Sequence, residues 1–329
     1  MSYGHYIKEI GRGPAGASDL SSEDAQRLYA AMLDGGVPDL ELGAIVLGLR
    51  LKGESVEEML GFLAAVDERT NVLEMPHGRV RPVVLPSYNG ARKEANLTPL
   101  LALLLQRFGI PVLVHGLLEG FGRITSGLIF RELGIMPLSS PSQAQASLDS
   151  TGLAFLPLNA ICPGIHNLLA LRSRLGVRNS AHSLVKMLNP FAGDSVLVVP
   201  GTHPEFIDMM RDILLRREQR ALLLRGSEGE PFANPKRRPR LEYLAQGKVD
   251  TLFESEHDSL RALPNLPESI DAAATAHWIR RVLDKQIPLP KPIANQLACL
   301  LYASGYAEDF NQAKAIVAVE ATGMLHGGN

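Results

Sequence analysis

One loop of this sequence carries residue types that bind anions. Residues 86–95 contain Arg92 and Lys93 but a single acid, and Asn89-Gly90 can turn the backbone tightly. Asn96 follows near the start of an apolar helix, where the helix dipole is positive. Cations and free backbone N–H groups at a positive helix end favour an anion, with phosphate as the best fit. An ordinary exposed turn with two solvated cations explains the same residues equally well.

Two short apolar runs flank this loop and the helix after it. Residues 83–85 and 112–114 have strand length, and the aliphatic stretch between them has helix length. We expect Thr98 to be the N-cap of the helix, Pro99 to be its first residue and Gly109 to end it. Parallel strands joined in this way place the loop at the carboxyl end of a sheet, where open α/β sheets bind ligands.

The composition is that of a globular protein with ample apolar content for a core. The 329 residues are 46% hydrophobic and carry a formal net charge of -2, which does not by itself indicate a nucleic-acid partner. Cys162 and Cys299 follow no spacing pattern, which argues against a disulfide framework and against a zinc site. No run resembles a membrane span or a secretory signal, so we expect a cytoplasmic protein with no membrane partner.

Helical periodicity comes first along the chain, and alternating strands and helices follow it. Amphipathic runs begin at Ser21, after Pro38 and at Val56. The sequence therefore predicts an α/β protein with a small N-terminal α-helical domain and a larger α/β domain, in which helices flank a mainly parallel central sheet. The predicted bounds are 1–75 for the helical domain, joined by helices from 163–190, and 76–162 with 191–329 for the α/β domain.

The distribution of charge points to a partner. No aspartate or glutamate occurs from Ser150 to Gly193, although arginines, histidines and a lysine do. Cations that follow one another without acids suit a phosphate backbone. The residues predicted to bind nucleic acid are Lys93, Arg172, Arg174, Arg178, Lys186 and Arg211. A basic run at 236–240, Lys-Arg-Arg-Pro-Arg, is either a solvated loop or a phosphate-binding patch.

The order of these motifs resembles the anthranilate phosphoribosyltransferases and their nucleoside-phosphorylase relatives. The likeness lies in Asn96-x-Thr98, the apolar helix, His115-Gly116 and Leu-Gly-Val-Arg-Asn at 175–179. The resemblance gives Arg123 the place of a lysine near the diphosphate and Arg178 the place of the arginine that meets the aromatic acceptor. It also implies that the N-terminal helices make dimer contacts.

The motifs that carry the family's chemistry differ in this chain. The Gly-Thr-Gly-Gly-Asp loop reads Pro-Ser-Tyr-Asn-Gly at 86–90, and Lys-His-Gly-Asn reads Val-His-Gly-Leu at 114–117. Pro231 and Phe232 stand where the family has its magnesium-binding Asp-Glu pair, although Glu228 and Glu230 are close by. We therefore expect no anthranilate activity, no catalytic residues and no resident metal or cofactor.

Two segments, 87–93 and 178–182, resemble the divergent branch of this family typified by YbiB. That branch implies a homodimer that binds DNA or RNA without strong sequence preference. The alternative is a phosphoribosyltransferase with an altered substrate, which needs magnesium and phosphoribosyl diphosphate; a sensor of a small phosphorylated ligand is the third option. The phosphate pocket of these options comprises Asn89, Gly90, Arg92, Lys93, Asn96, Thr98, His115 and Arg123.

Overall fold

The computed structural model describes residues 3–13, 16–257 and 265–323. The outermost residues of the predicted domains, 1 and 329, lie outside this range. The helices are α1 (Gly4–Ile10), α2 (Ser22–Leu33), α3 (Asp39–Lys52), α4 (Val56–Asp67), α5 (Thr98–Arg107), α6 (Ser126–Glu132), α7 (Pro141–Thr151), α8 (Leu158–Ile161), α9 (Pro163–Ala170), α10 (Arg172–Leu175), α11 (Ala181–Leu184), α12 (Pro204–Arg216), α13 (Ala272–Leu283), α14 (Lys291–Ala303) and α15 (Phe310–Gly323). The strands are β1 (Val83–Ser87), β2 (Val112–Gly116), β3 (Leu153–Pro157), β4 (Val196–Gly201), β5 (Ala221–Ser227), β6 (Glu230–Ala233), β7 (Leu241–Ala245) and β8 (Lys248–Phe253).

The chain forms two compact units. The helical unit takes in the described residues of Met1–Val72 and Leu158–Pro190, and the α/β unit takes in the rest. None of the helices in the described part of the chain has the length and apolarity needed to span a bilayer.

The helical unit is built on α2 and α4, whose starts are fixed by side-chain caps. Ser21 accepts a hydrogen bond from the backbone of Asp24, and Ser55 forms a capping box with Glu58. The buried faces of the two helices meet where the rings of Tyr29 and Phe62 stack with centroids 4.5 Å apart.

The α/β unit contains one sheet in the order β3-β2-β1-β4-β5-β7-β8, with β6 paired to β5. The first five strands are parallel, whereas β6, β7 and β8 run antiparallel to their neighbours. The sheet is therefore mainly parallel, in agreement with the predicted fold class.

The loop after β1 leads into α5, and the start of this helix differs from the prediction. Thr98 is the first helical residue rather than the N-cap, because its hydroxyl is used elsewhere, as a donor to Glu230. The Oδ1 of Asn96 accepts the backbone N–H of Thr98 at 3.1 Å and satisfies the free donor instead. The end is as expected, because α5 stops at Arg107 and Gly109 has a φ of 71°.

The ends of β1 and β2 approach each other closely beside this loop. A Cβ atom on Gly116 would lie 1.7 Å from the carbonyl oxygen of Ser87, so only glycine fits there. The preceding residue, His115, is fully buried in β2.

Candidate functional site

The loop after β1 folds around the carboxylate of Glu230, a fully buried side chain on β6. Its Oε1 accepts hydrogen bonds from the backbone N–H groups of Asn89 at 3.0 Å and Gly90 at 2.8 Å. Its Oε2 accepts from three side chains, those of Ser87, Asn96 (3.2 Å) and Thr98 (3.3 Å). Four residues of the predicted phosphate pocket are thus brought together, but around a carboxylate that belongs to the chain itself.

A second carboxylate, that of Glu228, occupies the outer part of the same loop. Its Oε1 accepts three successive backbone N–H groups, from Arg92 at 3.1 Å, Lys93 at 2.8 Å and Glu94 at 3.1 Å. Its Oε2 lies 3.3 Å from Nη1 of Arg123. Successive N–H groups that converge in this way form an anion-binding nest, and the nest here holds an internal anion.

The turn between β5 and β6 carries both carboxylates into place. Glu228 has a φ of 53° and Gly229 a φ of 89°, the left-handed pair that a tight antiparallel hairpin requires. The side-chain amide of Asn89 also donates to the carbonyl oxygen of Glu228 at 2.6 Å. Glu228 reaches the loop from the turn itself, and Glu230 reaches it from the first position of β6.

The two glutamates differ in their protonation chemistry. Burial raises the pKa of Glu230, although hydrogen bonds from Ser87, Gly90 and Asn89 oppose that effect. Burial also acts to raise the pKa of Glu228, but the backbone N–H groups of residues 92–94 and the charge of Arg123 outweigh it, so the net shift is downward. Glu228 is therefore an ionised carboxylate at neutral pH.

These surroundings do not fit a magnesium ion. The groups that face both carboxylates donate hydrogen bonds to them, so the carboxylate oxygens that would have to ligate the ion already accept from N–H and O–H groups. In the part of the chain that the structure describes, no group of three or more His, Cys, Asp and Glu side chains is placed to hold a metal.

The helical unit gathers basic side chains from the acid-free segment. Arg172 and Arg178 are partly exposed, whereas His182 and Lys186 are buried, Lys186 with only 5% of its surface exposed. Burial and the charge of Arg178 lower the pKa of Lys186 to about 8. Burial and the charges of Arg178 and Arg172 lower the pKa of His182 to about 3, so this imidazole is neutral at neutral pH.

The remaining predicted nucleic-acid residues lie elsewhere. Arg174 is exposed on α10 and pairs with Asp39 at 3.0 Å. Arg211 on α12 contacts Asp208 at 2.5 Å and Glu242 at 2.8 Å, so its charge is already compensated. Lys93 is exposed in the loop after β1 of the α/β unit.

Sequence reasoning missed the role of two residues and misassigned a third. Ser87 was not predicted as a donor to the loop's anion, and His182 was not recognised as a neutral neighbour of the arginines. Glu230 was considered only as a replacement metal ligand. Glu-Gly-Glu at 228–230 does indicate a tight hairpin, since a glycine after a strand is typical of such a turn, but the sequence does not show that this hairpin contacts the loop at 86–95.

Comparisons with known proteins place the chain in a family. The helical bundle domain of the glycosyl transferase family matches residues 4–70. YbiB of Escherichia coli (strain K12) is 45% identical over 318 residues, which are 96% of this chain and 99% of that protein. The chain belongs to the YbiB family. Anthranilate phosphoribosyltransferase from Persephonella marina is 29% identical over 227 residues, 68% of this chain and 65% of that enzyme.

The fold of this YbiB relative is that of the phosphoribosyltransferases. The crystal structure of anthranilate phosphoribosyltransferase from Thermus thermophilus matches with a TM-score of 0.76 at 24% identity, over 97% of this chain and 95% of that one. The predicted membership of an anthranilate phosphoribosyltransferase-like glycosyltransferase family is confirmed, and so is the predicted fold class.

Replacing Glu230 with alanine should strongly destabilise the protein. Five groups, the N–H of Asn89, the N–H of Gly90 and the side chains of Ser87, Asn96 and Thr98, would lose their buried acceptor, and each such group costs about 1–3 kcal/mol. Because such costs do not add fully, we expect the free energy of unfolding to fall by about 3–5 kcal/mol in urea denaturation followed by circular dichroism.

Glu228→Ala is the matched control for this experiment. The Glu228 side chain is 15% exposed, so water can replace its carboxylate, and we expect a loss of about 1 kcal/mol. Equal losses in the two variants would contradict the view that the buried carboxylate organises the loop.

Proposed function

We propose that this protein binds the sugar-phosphate backbone of nucleic acid, DNA or RNA, without strong sequence preference and as a homodimer. The observation that carries the proposal is Lys186, an ammonium group that is almost completely buried beside a second cation, Arg178. No carboxylate contributes to the shifted pKa of Lys186 among the described residues. A buried charge without a counter-ion is costly, and a bound phosphate removes that cost.

The composition of the acid-free segment supports backbone recognition. Its two aromatic residues, Phe155 and Phe191, are both buried and so cannot stack on bases. Arginine and lysine contacts to phosphate fix the position of a nucleic acid but do not read its sequence. A partner held by Arg172, Arg178 and Lys186 would therefore be recognised by its charge.

The contacts of the loop after β1 support the view that the protein keeps the family's fold without its transferase chemistry. A diphosphate bound there would have to displace Glu228 from its nest and lie against the carboxylate of Glu230. The alternative function, phosphoribosyl transfer with an altered substrate, requires that displacement. If phosphoribosyl diphosphate with magnesium raised the melting temperature of the protein, the alternative would be favoured, because a ligand of the native state stabilises it by mass action.

The proposed function is tested by fluorescence anisotropy of a labelled single strand, a duplex and an RNA across a salt series. We expect Lys186→Met and Arg178→Gln each to weaken binding on the order of tenfold, since a charged hydrogen bond is lost. The slope of log affinity against log salt should fall by about 1 per variant.

Lys248→Met is the matched control, because it makes the same change at an exposed position on β8 of the α/β unit. If Lys248→Met weakened binding as much as Lys186→Met, the loss would reflect the lower overall charge of the protein and not a contact made by Lys186. Unchanged affinity in Lys186→Met would remove this residue from the interface.

Binding should also depend on pH through Lys186. Its pKa of about 8 in the free protein should rise when a phosphate lies beside it, so binding above that pH takes up a proton. We expect affinity to fall between about pH 7 and pH 9, by up to about tenfold per pH unit above the pKa of the free protein. Lys186→Arg keeps its charge over this pH range and should therefore lose the pH dependence. If this variant and the wild type had the same pH profile of affinity, the dependence would not arise from Lys186.

The homodimer is supported by an apolar face on α3. Leu40, Leu47 and Leu51 share one side of the helix and are 83%, 45% and 69% exposed. We expect Leu51→Glu to shift the mass in size-exclusion chromatography with light scattering from twice the 35.7 kDa chain mass towards a single chain. Met136→Glu, at an exposed position in the α/β unit, should leave the mass unchanged. A wild-type mass of one chain would rule the dimer out.

A further inference from the structure

A cleft in the α/β unit lies beside the end of β5. Its volume is about 510 Å³, within the range of small-molecule sites. Arg225 on β5 contributes to its wall, as do three arginines of the 236–240 run and His257. The basic run that the sequence left open between a solvated loop and a phosphate patch therefore borders a cavity.

Two of the four arginines are already held by acids. Arg238 lies 3.2 Å from Glu256, with its guanidinium 4.8 Å from the centre of the Phe253 ring. Arg240 lies 3.3 Å from Glu242. Of the two carboxylates that line the cleft, Glu256 is thus paired with Arg238, and Glu228 is 3.3 Å from Arg123.

The other two arginines are not compensated in this way. Arg225 and Arg237 are exposed and have no ion pair with any described residue, and Arg237 only donates to the carbonyl oxygen of His257 at 3.4 Å. The cleft therefore has an excess of two positive charges. Guanidinium groups suit phosphate oxygens because they offer paired donors in a fixed plane.

Ser227 gives an independent indication of a ligand at this place. It lines the cleft and is 4% exposed, and its buried hydroxyl has no hydrogen-bond partner among the residues at 3–13, 16–257 and 265–323. Buried hydroxyls are normally paired, so an unpaired one at the wall of a cationic cleft calls for a partner from outside the chain.

We propose that this cleft binds the phosphate groups of a compact phosphorylated molecule, with a diphosphate as the best match to its charge. The two unpaired arginines supply the attraction, and the size of the cleft restricts the ligand to a small molecule. This site does not depend on nucleic-acid binding by the helical unit.

The test is isothermal titration calorimetry of the full chain with inorganic pyrophosphate, without magnesium and at matched ionic strength. We expect saturable binding that Arg225→Gln and Arg237→Gln each weaken at least about fivefold. Both side chains are exposed, so the variants should fold. The control is Arg281→Gln, the same change at an exposed position on α13, which should bind as the wild type does.

Absence of saturable binding, or an equal loss in Arg281→Gln, would overturn the proposal. The same variants titrated with a labelled oligonucleotide separate the two sources of phosphate. Loss of oligonucleotide affinity without pyrophosphate binding would assign the cleft to a nucleic-acid backbone and reject the small ligand. Because Lys186→Met leaves the cleft intact, pyrophosphate binding that survives in this variant separates the cleft from the nucleic-acid site.

Discussion

The hydrogen-bonded carboxyl group of Glu230 is the constraint on which the structure at the carboxyl end of β1 depends. Five donors from the last residue of β1, the loop after it and the start of α5 converge on a group that is fully buried. Removing such an acceptor leaves its donors unpaired, which costs far more than the acceptor's own net contribution. The loop, the first turn of α5 and the β5–β6 hairpin are therefore one structure that forms together.

This constraint also decides what the loop can bind. In a loop that accepts phosphate, backbone N–H groups wait for an external anion. Here Glu228 meets three of them and Arg123 as well, while Glu230 occupies the interior. An anionic ligand must compete with these carboxylates for the same hydrogen-bond donors. The carboxylates belong to the chain, so their effective concentration at the donors is high, and their negative charge also repels an anion. Side chains larger than the family's glycines, at Pro86, Tyr88 and Asn89, are compatible with such a filled loop.

The sequence predicted most of the parallel sheet because each strand is a short apolar run between clear helix signals. The strands β7 and β8 were not predicted, because β7 directly follows a basic run that looks like a loop and β8 has largely exposed side chains. The clearest sequence sign of a hairpin there was the glycine in Gln246-Gly247. Both residues have a positive φ at the turn between β7 and β8. Among the residues of the predicted phosphate pocket, Asn89, Gly90, Asn96 and Thr98 lie together, around Glu230. Their partner could not be predicted, because Glu230 lies more than a hundred residues away and only pairing of β5 with β6 brings it there.

Lys186 is the opposite case to Glu230. Its ammonium group is buried, and no carboxylate among the described residues contributes to its shifted pKa. A shift of its pKa from 10.5 to about 8 corresponds to a cost on the order of 3 kcal/mol for the charged form. Since the unfolded chain keeps the ordinary pKa, the folded protein binds fewer protons between about pH 8 and pH 10.5, and this cost is relieved as pH rises through that window. Below it, the native state holds the charged form at the expense of stability. A hydrophobic side chain of similar length would avoid that expense, and the phosphate of the proposed partner would offset it while bound.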